Sequence, residues 1–299
     1  MRKRTIVGVL LLLISIWFYF RYRYLWQDIE DQINFISQYD LYDKESELIL
    51  PKLIHQTWKD KDVPEQWLYD YEWTRYKMQD YEFHFWTDED LRDLVSTEFP
   101  WFLKTYDSYP YNIQRVDAGR YFVLYSRGGI YMDLDIGCRR ENLDPVLKFP
   151  IVIPRTKPIG FSNDFLVSSK GHPFFKKIID SLQTYNHWYG TQFLTVLFST
   201  GPVFLSLVYG SYQDKMNIRV LQQENYANTP MSLLVHRTGS TWHQDDAAFF
   251  LWFFKHRIAF TMVTIITAIG LVTFYLWRKK RLRSCWEARE TLPKYTKAT

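Results

Sequence analysis

Cysteine is nearly absent: only Cys138 and Cys285 occur among the 299 residues, so neither a disulfide framework nor a Cys-based zinc site is available. Any metal must be held by oxygen or imidazole. Also missing is a basic stripe interleaved with aromatics. The formal charge is only +4, with much of the positive charge clustered at the two ends, which argues against nucleic acid as the main partner. There is no internal repeat and no low-complexity tract. No usable N-x-S/T acceptor lies between the two long apolar runs, so glycosylation gives no check on sidedness. Aromatics, in contrast, make up 19%, with 12 Trp, 22 Tyr and 22 Phe. Such rings accumulate where one end is apolar and the other wet, at membrane interfaces and at sugar or lipid sites.

Residues 5–20 are uncharged, follow Arg2, Lys3 and Arg4, and lead into a collar of Tyr19, Tyr22, Tyr24 and Trp26. Bulky aromatics and arginines stand where a cleavage site would need small residues, so a short signal anchor is predicted. Residues 258–277 are also uncharged and match the ~20 residues a helix needs to cross the hydrocarbon. Basic clusters before the first run and at residues 278–283 place both termini in the cytosol, although Arg21 and Arg23 pull the other way. The expected organisation is an N-terminal transmembrane anchor (1–26), a luminal domain (27–255), a C-terminal transmembrane helix (256–280) and a short cytosolic tail (281–299). Cys138 and Cys285 would then lie on opposite sides of the membrane.

Within 27–255, LILPKLIHQTW and YEFHFWT read as strands, residues 64–80 and DEDLRDLVSTEF as helices, with Thr87 or Asp88 as N-cap of the second. NIQRVDAGRYFVLYSRGG has a helical pattern stopped by Gly128 and Gly129, and a strand follows. Later strands are expected near Ile151, over 161–168 and at IRVLQ, with helices from Pro173 and Thr191. This alternation predicts an α/β fold with a mostly parallel sheet and a ligand site beyond the carboxyl ends of its strands.

GGIYMDLDIG sets two carboxylates one residue apart in an apolar run. On a strand, Asp133 and Asp135 would point the same way and share one small space. Such a pair fits a divalent metal site, a proton-sharing acid pair, or a solvated strand end without chemistry. Asp117 and Arg120, three apart on the preceding helix, share a face; they read either as an exposed ion pair or as a clamp for sugar hydroxyls and diphosphate. In GSTWHQDDA, His243 is a possible nitrogen ligand, Asp245 and Asp246 are possible oxygen ligands or helix caps, and Gly239 with Ser240 would let backbone approach a phosphate. His55 and Gln56 end the first strand, where α/β sheets commonly meet nucleotides. Asn163, Asp164, Gly201 and Pro202 are weaker candidates, and His84, His172, His187, His236 and His256 read as structural.

LIHQTW, RVDAGRYFVLYSRGGIYMDLD and GSTWH together resemble the retaining, nucleotide-sugar-dependent glycosyltransferases of family 32, and within them the fungal inositol phosphorylceramide mannosyltransferases. PWFL, SND, STGP and WHQDDA extend the likeness over almost the whole chain. The resemblance implies a GT-A type, Rossmann-like catalytic domain flanked by N- and C-terminal transmembrane helices. It implies Mn²⁺ or Mg²⁺ held by Asp133, Asp135 and His243, with Asp245 an alternative third ligand. GDP-mannose would meet the stretch His55, Gln56 and Thr57 as well as Asp117 and Arg120, with Asn163, Asp164, Gly239 and Ser240 as further substrate contacts. The acceptor implied is inositol phosphorylceramide, the compartment the Golgi, and a multispanning regulatory subunit a partner. Thr261, Thr264, Thr267, Gly270 and Thr273 are the expected packing face toward it. The run AAFFLWFF is expected either at the membrane interface or as core. Two competing expectations are a Golgi mannosyltransferase acting on protein N-glycans and a non-catalytic, lectin-like subunit.

Overall fold

The computed structural model describes residues 33–43, 45–156, 160–226, 229, 230, 232–237, 239 and 245–256, then 263, 267, 270, 271, 273–279 and 281. The expected first span lies outside these residues, and the second falls only partly within them. In chain order the elements are α1 (Gln38–Tyr42), β1 (Leu53–Thr57), α2 (Glu65–Lys77), β2 (Glu82–Trp86), α3 (Asp88–Glu98), α4 (Pro100–Ser108), α5 (Asn112–Arg127), β3 (Gly129–Met132) and β4 (Ile136–Cys138). Then follow β5 (Ile151–Pro154), β6 (Phe165–Ser168), α6 (Pro173–Tyr185), α7 (Gln192–Ser199), α8 (Pro202–Ser211), β7 (Ile218–Leu221), α9 (Gln223–Tyr226), β8 (Leu234–His236) and α10 (Asp245–Lys255).

A six-stranded sheet runs in the order β2-β1-β3-β6-β5-β7, and β4 and β8 form a separate two-stranded ribbon. The sheet is mostly parallel, as expected, with one strand reversed: β1 pairs in parallel with β2 and β3, and β5 with β7, but β6 runs antiparallel to both β3 and β5. The cause is chain length. Only residues 155–164 separate β5 from β6, too few for the crossover that a parallel return requires.

Local chemistry sets the elements. Thr87 caps α3, accepting from the Asp90 N–H while the Asp90 carboxylate accepts from the Thr87 N–H. Gly128 and Gly129 end α5 with φ of 75° and 88°, and a Cβ on Gly129 would lie 2.6 Å from the Leu53 carbonyl oxygen. No side chain fits between β3 and β1 there. Strand alternation splits the core into two layers. Tyr131 joins Leu91, Phe102, Tyr121, Phe122, Phe174 and Phe204 beneath the helices, whereas its neighbours Ile130 and Met132 join Ile54, Cys138, Val152 and Phe165 on the opposite face.

The chain divides into two units, residues 1–246 and 247–299. Among the described residues, the stretch Gln192–Ser211 is long and apolar enough to cross a membrane by length and composition, but 67% of it is buried. It comprises α7 and α8, which contribute Phe204, Leu205 and Val208 to the core. In the second unit, Val263, Leu271, Phe274, Leu276 and Trp277 are helical and exposed. Thr267 and Thr273 there donate back to the carbonyls of Val263 and Gly270, a bond that satisfies a hydroxyl without water.

Candidate functional site

The two acids of the D-x-D do not lie within a strand. β3 ends at Met132 and β4 begins at Ile136, so Asp133 to Asp135 form the turn between sheet and ribbon. Three backbone bonds pin that turn. Asp133 N–H donates to the Asp164 carbonyl (2.9 Å), Ile136 N–H to the Asp133 carbonyl (3.1 Å), and Arg237 N–H to the Asp135 carbonyl (2.7 Å). The acids share a site through the turn rather than through strand alternation.

Around Asp133, side chains converge from two strands, one helix and two connecting segments. The Thr57 hydroxyl donates to Tyr131 Oη (2.8 Å), which donates to Asp133 Oδ1 (2.5 Å). Arg120, from α5, places Nη2 3.4 Å from the same oxygen and 3.0 Å from Asp117 Oδ1. Its Nη1 donates to the Asn163 carbonyl (2.7 Å), and the guanidinium lies 4.8 Å from the Tyr131 ring centre. Asp117 accepts in addition from Asn163 Nδ2 (2.9 Å) and Thr200 Oγ1 (3.0 Å). Both Asp117 and Arg120 are buried. The expected helix-face pair is therefore a buried ion pair, not an exposed one.

Burial is the main influence on the charges here. It lifts Asp133 to about 7, with Asp135 and Asp164 adding to the rise and Arg120 opposing it. Asp135 rises for the same first reason and is countered by His236 and Arg120. Asp117 also rises through burial, against Arg120, Thr200 and Asn163. Arg120 stays charged although burial works against it, because Asp133, Tyr131 and Asp117 outweigh burial.

The site gathers the carboxylates of Asp133, Asp135 and Asp164 beside Arg120 and His236. Among the described residues, Asp135 Oδ1 and Asp164 Oδ1 are buried without a hydrogen-bond partner, and orphaned buried oxygens of this kind carry a desolvation cost that a cation relieves. Hard oxygen donors suit Mn²⁺ or Mg²⁺. The donor set thus fits a divalent ion with Asp133 and Asp135 as its protein ligands. Among the described residues no three His, Cys, Asp or Glu side chains converge on one ion position.

The remaining expected residues divide. Gly239 lies against the pair: a Cβ there would fall 1.6 Å from Asp135 Oδ2. Asp164 and Asn163 join the site, Asp164 through the Tyr226 hydroxyl that donates to its Oδ2. Ser240 and His243 lie outside the described residues. Asp246 Oδ2 accepts from the Phe193 N–H (3.0 Å) and so serves the first turn of α7. His55 corrects its expectation as a nucleotide contact. It is buried, its Nε2–H donates to the Gly128 carbonyl (2.9 Å), and its Nδ1 accepts from Trp86 Nε1 (3.1 Å), so both nitrogens are used within the protein. Gln56 accepts from Arg75 Nη1 (2.8 Å), and Thr57 meets the site only through Tyr131.

His236 was expected to be structural, yet its Nε2 stands 3.8 Å from Asp135 Oδ2 and 3.6 Å from Asp164 Oδ2. No spacing in the sequence could have found it, because it reaches Asp135 through the pairing of Ile136 with His236 across the ribbon. Tyr131, which reads as apolar packing, likewise supplies a polar tip. Asp70 was also unmarked. It grips Arg237 with both oxygens (2.6 and 3.1 Å), fixing the ribbon to α2.

Residues 64–151, which contain the turn, match the family described as glycosyltransferase sugar-binding region containing DXD motif. Inositol phosphoceramide mannosyltransferase 3 of Schizosaccharomyces pombe is 39% identical over 249 residues, 81% of this chain and 69% of that protein. Inositol phosphoceramide mannosyltransferase 1 of the same organism is 38% identical over 78% of this chain and 76% of its own. Mannosyl phosphorylinositol ceramide synthase CSH1 of Saccharomyces cerevisiae is 41% identical over 77% and 63%. With these identities over most of the chain, and an acid turn of the kind the family description requires, the chain belongs to the DXD-containing glycosyltransferases, in the family of the fungal inositol phosphoceramide mannosyltransferases.

Proposed function

We propose that this protein transfers mannose from GDP-mannose to inositol phosphorylceramide, with Mn²⁺ or Mg²⁺ at the acid turn and retention at the mannose carbon. The observation that carries the reading is the geometry of the turn: two carboxylates that burial pushes toward neutrality, an orphaned oxygen on Asp135, and Arg120 beside Asp133. The bound ion would supply Lewis-acid stabilisation of the diphosphate that leaves the sugar. Asp133 and Asp135 would hold it.

This chain's own residues do the rest. Tyr131, held by Thr57, orients one Asp133 oxygen. Arg120 keeps a fixed positive charge next to that carboxylate and is itself oriented by Asp117 and the Asn163 carbonyl. A guanidinium preorganised in a site of low polarity stabilises developing negative charge more than one in water would. Gly239 packs directly on Asp135, where no side chain would fit, and so fixes the position of that carboxylate. The names of the relatives, which act on inositol phosphoceramide, support the acceptor.

The same reading takes the domain to be luminal in the Golgi, anchored by the apolar runs 5–20 and 258–277, with a multispanning partner against the second run. A catalytic domain tied to the bilayer raises the effective concentration of a lipid acceptor. The test is transfer from labelled GDP-mannose by the full-length protein, with inositol phosphorylceramide or a high-mannose glycan as acceptor, and with or without EDTA. Lipid labelling that EDTA abolishes and Mn²⁺ restores is the expected result. Labelling of the glycan alone would replace the acceptor, and labelling indifferent to EDTA would remove the metal.

A further inference from the structure

Asp70 is a buried carboxylate that the transfer chemistry does not use. It lies on the inner face of α2, its side chain 8% exposed, and both its oxygens go to one partner. Oδ2 accepts from Arg237 Nε (2.6 Å) and Oδ1 from Arg237 Nη2 (3.1 Å). Apolar side chains filling the same space would often stabilise such a contact at least as well. What the two-pronged pair supplies in addition is direction, since a planar guanidinium meets a carboxylate in one plane and one orientation.

That direction bears on Asp135. The Arg237 N–H donates to the Asp135 carbonyl (2.7 Å). On one side of Arg237 in the chain, His236 places Nε2 3.8 Å from Asp135 Oδ2; on the other, Gly239 comes so close to the same oxygen that it admits no side chain. These three residues meet Asp135 at its backbone and at its carboxylate, and Asp70 grips the middle one. Helix α2 is itself tied to both sheets. Arg75 Nη1 donates to Gln56 on β1 (2.8 Å), with the guanidinium 4.4 Å from the ring centre of Phe83 on β2. The Thr74 hydroxyl accepts from the Cys138 N–H on β4 (3.2 Å), and a Cβ on Gly137 would fall 2.9 Å from the Asp70 Cβ, so ribbon and helix touch with no room for a side chain. Asp133 follows the last residue of β3 in the large sheet, and Asp135 precedes the first residue of β4 in the ribbon. The helix that carries Asp70 therefore brackets the two bodies that carry the two acids.

We propose that Asp70 is a positioning residue: through Arg237 it holds the residues that pack on Asp135, and so sets how tightly the acid turn binds a divalent ion. This rests on the metal reading given above. Among the described residues, Asp135 Oδ1 has no hydrogen-bond partner, so the direction of this carboxylate comes from its backbone bond to Arg237 and from what lies against Oδ2. Groups that orient a metal ligand without touching the ion set its affinity in this way. Asp70 acts at one remove, by keeping Arg237 in place.

The test compares the full-length protein with Asp70→Asn and with the pair Asp70→Leu and Arg237→Met, which fills the same space and leaves no charge buried alone. Binding of GDP carrying a fluorescent methylanthraniloyl group is titrated with Mn²⁺. Deuterium uptake of residues 234–237 is followed beside that of β1 and β3. Both variants are expected to need about tenfold more Mn²⁺ for half-saturation, and to exchange faster at 234–237 while β1 and β3 stay protected. An unchanged Mn²⁺ requirement in the paired variant overturns the proposal and leaves Asp70 a stabilising tie only. Faster exchange spread evenly over ribbon and sheet, the mark of a general loss of stability, also overturns it. If the unsubstituted protein binds the nucleotide equally well without Mn²⁺, the metal reading fails, and uptake at 234–237 then decides by itself whether Asp70 holds the residues on Asp135.

Discussion

Gly239 stands so close to Asp135 that a methyl group on its Cα would fall 1.6 Å from Asp135 Oδ2. Two segments a hundred residues apart thus meet at atomic contact, and the glycine is required by space. Gly239→Ala is predicted to displace that carboxylate and lower transfer about 100-fold. Steady-state kinetics on a variant with unchanged far-ultraviolet circular dichroism would check it. Full activity would mean that the loop yields and that Asp135 has no fixed role.

Asp135→Asn removes a charge from a pocket in which burial already disfavours it. Transfer should drop about 100- to 1000-fold. The melting temperature should hold or rise by about 2–4 °C, because a site built for function is not built for stability. Calorimetry alongside the transfer assay reads both, and a large fall in melting temperature would contradict the assignment.

Arg120→Ala leaves Asp117 buried with only Asn163 and Thr200 for support. Loss of one partner from such a pair costs about 3–5 kcal/mol. Urea unfolding should show that loss. Arg120→Lys should recover only part of it, since an ammonium cannot span Asn163, Asp117 and Asp133 together.

His55 is held neutral, its pKa pushed down to about 4 from 6.5, first by burial. A depressed pKa means that the unfolded chain binds the proton more readily. The stability this residue contributes is therefore present above pH 6.5 and lost as pH falls toward 4, by up to about 3 kcal/mol. Denaturant unfolding between pH 7 and 4 should show this loss, and His55→Gln, less stable at pH 7, should show a shallower dependence.

The strands β1 to β3 and the helices α2, α3 and α5 were legible through local signals such as Thr87 with Asp90, Gly128 with Gly129, and the alternation in YEFHFWT. The reversal of β6 was not, since strand direction depends on what a short connection permits. α4 and α8 also escaped, although Pro100 and Pro202 open them. In the site, Asp133, Asp135, Asp117 and Arg120 stand out by spacing along one helix and one turn. His236 and Asp70 do not, because their relation to the acids exists only after the ribbon has formed. His55 erred in the other direction. A histidine at a strand end resembles a ligand until Trp86 and Gly128 are seen to occupy both its nitrogens.

The acid turn joins two bodies that share no strand. Asp133 is fastened through its N–H to Asp164 at the end of the large sheet, and Asp135 through its carbonyl to Arg237 on the ribbon. Any tilt of ribbon against sheet must alter the gap between the two carboxylates. An ion held by both carboxylates would act as a rivet, setting the two plates to one spacing.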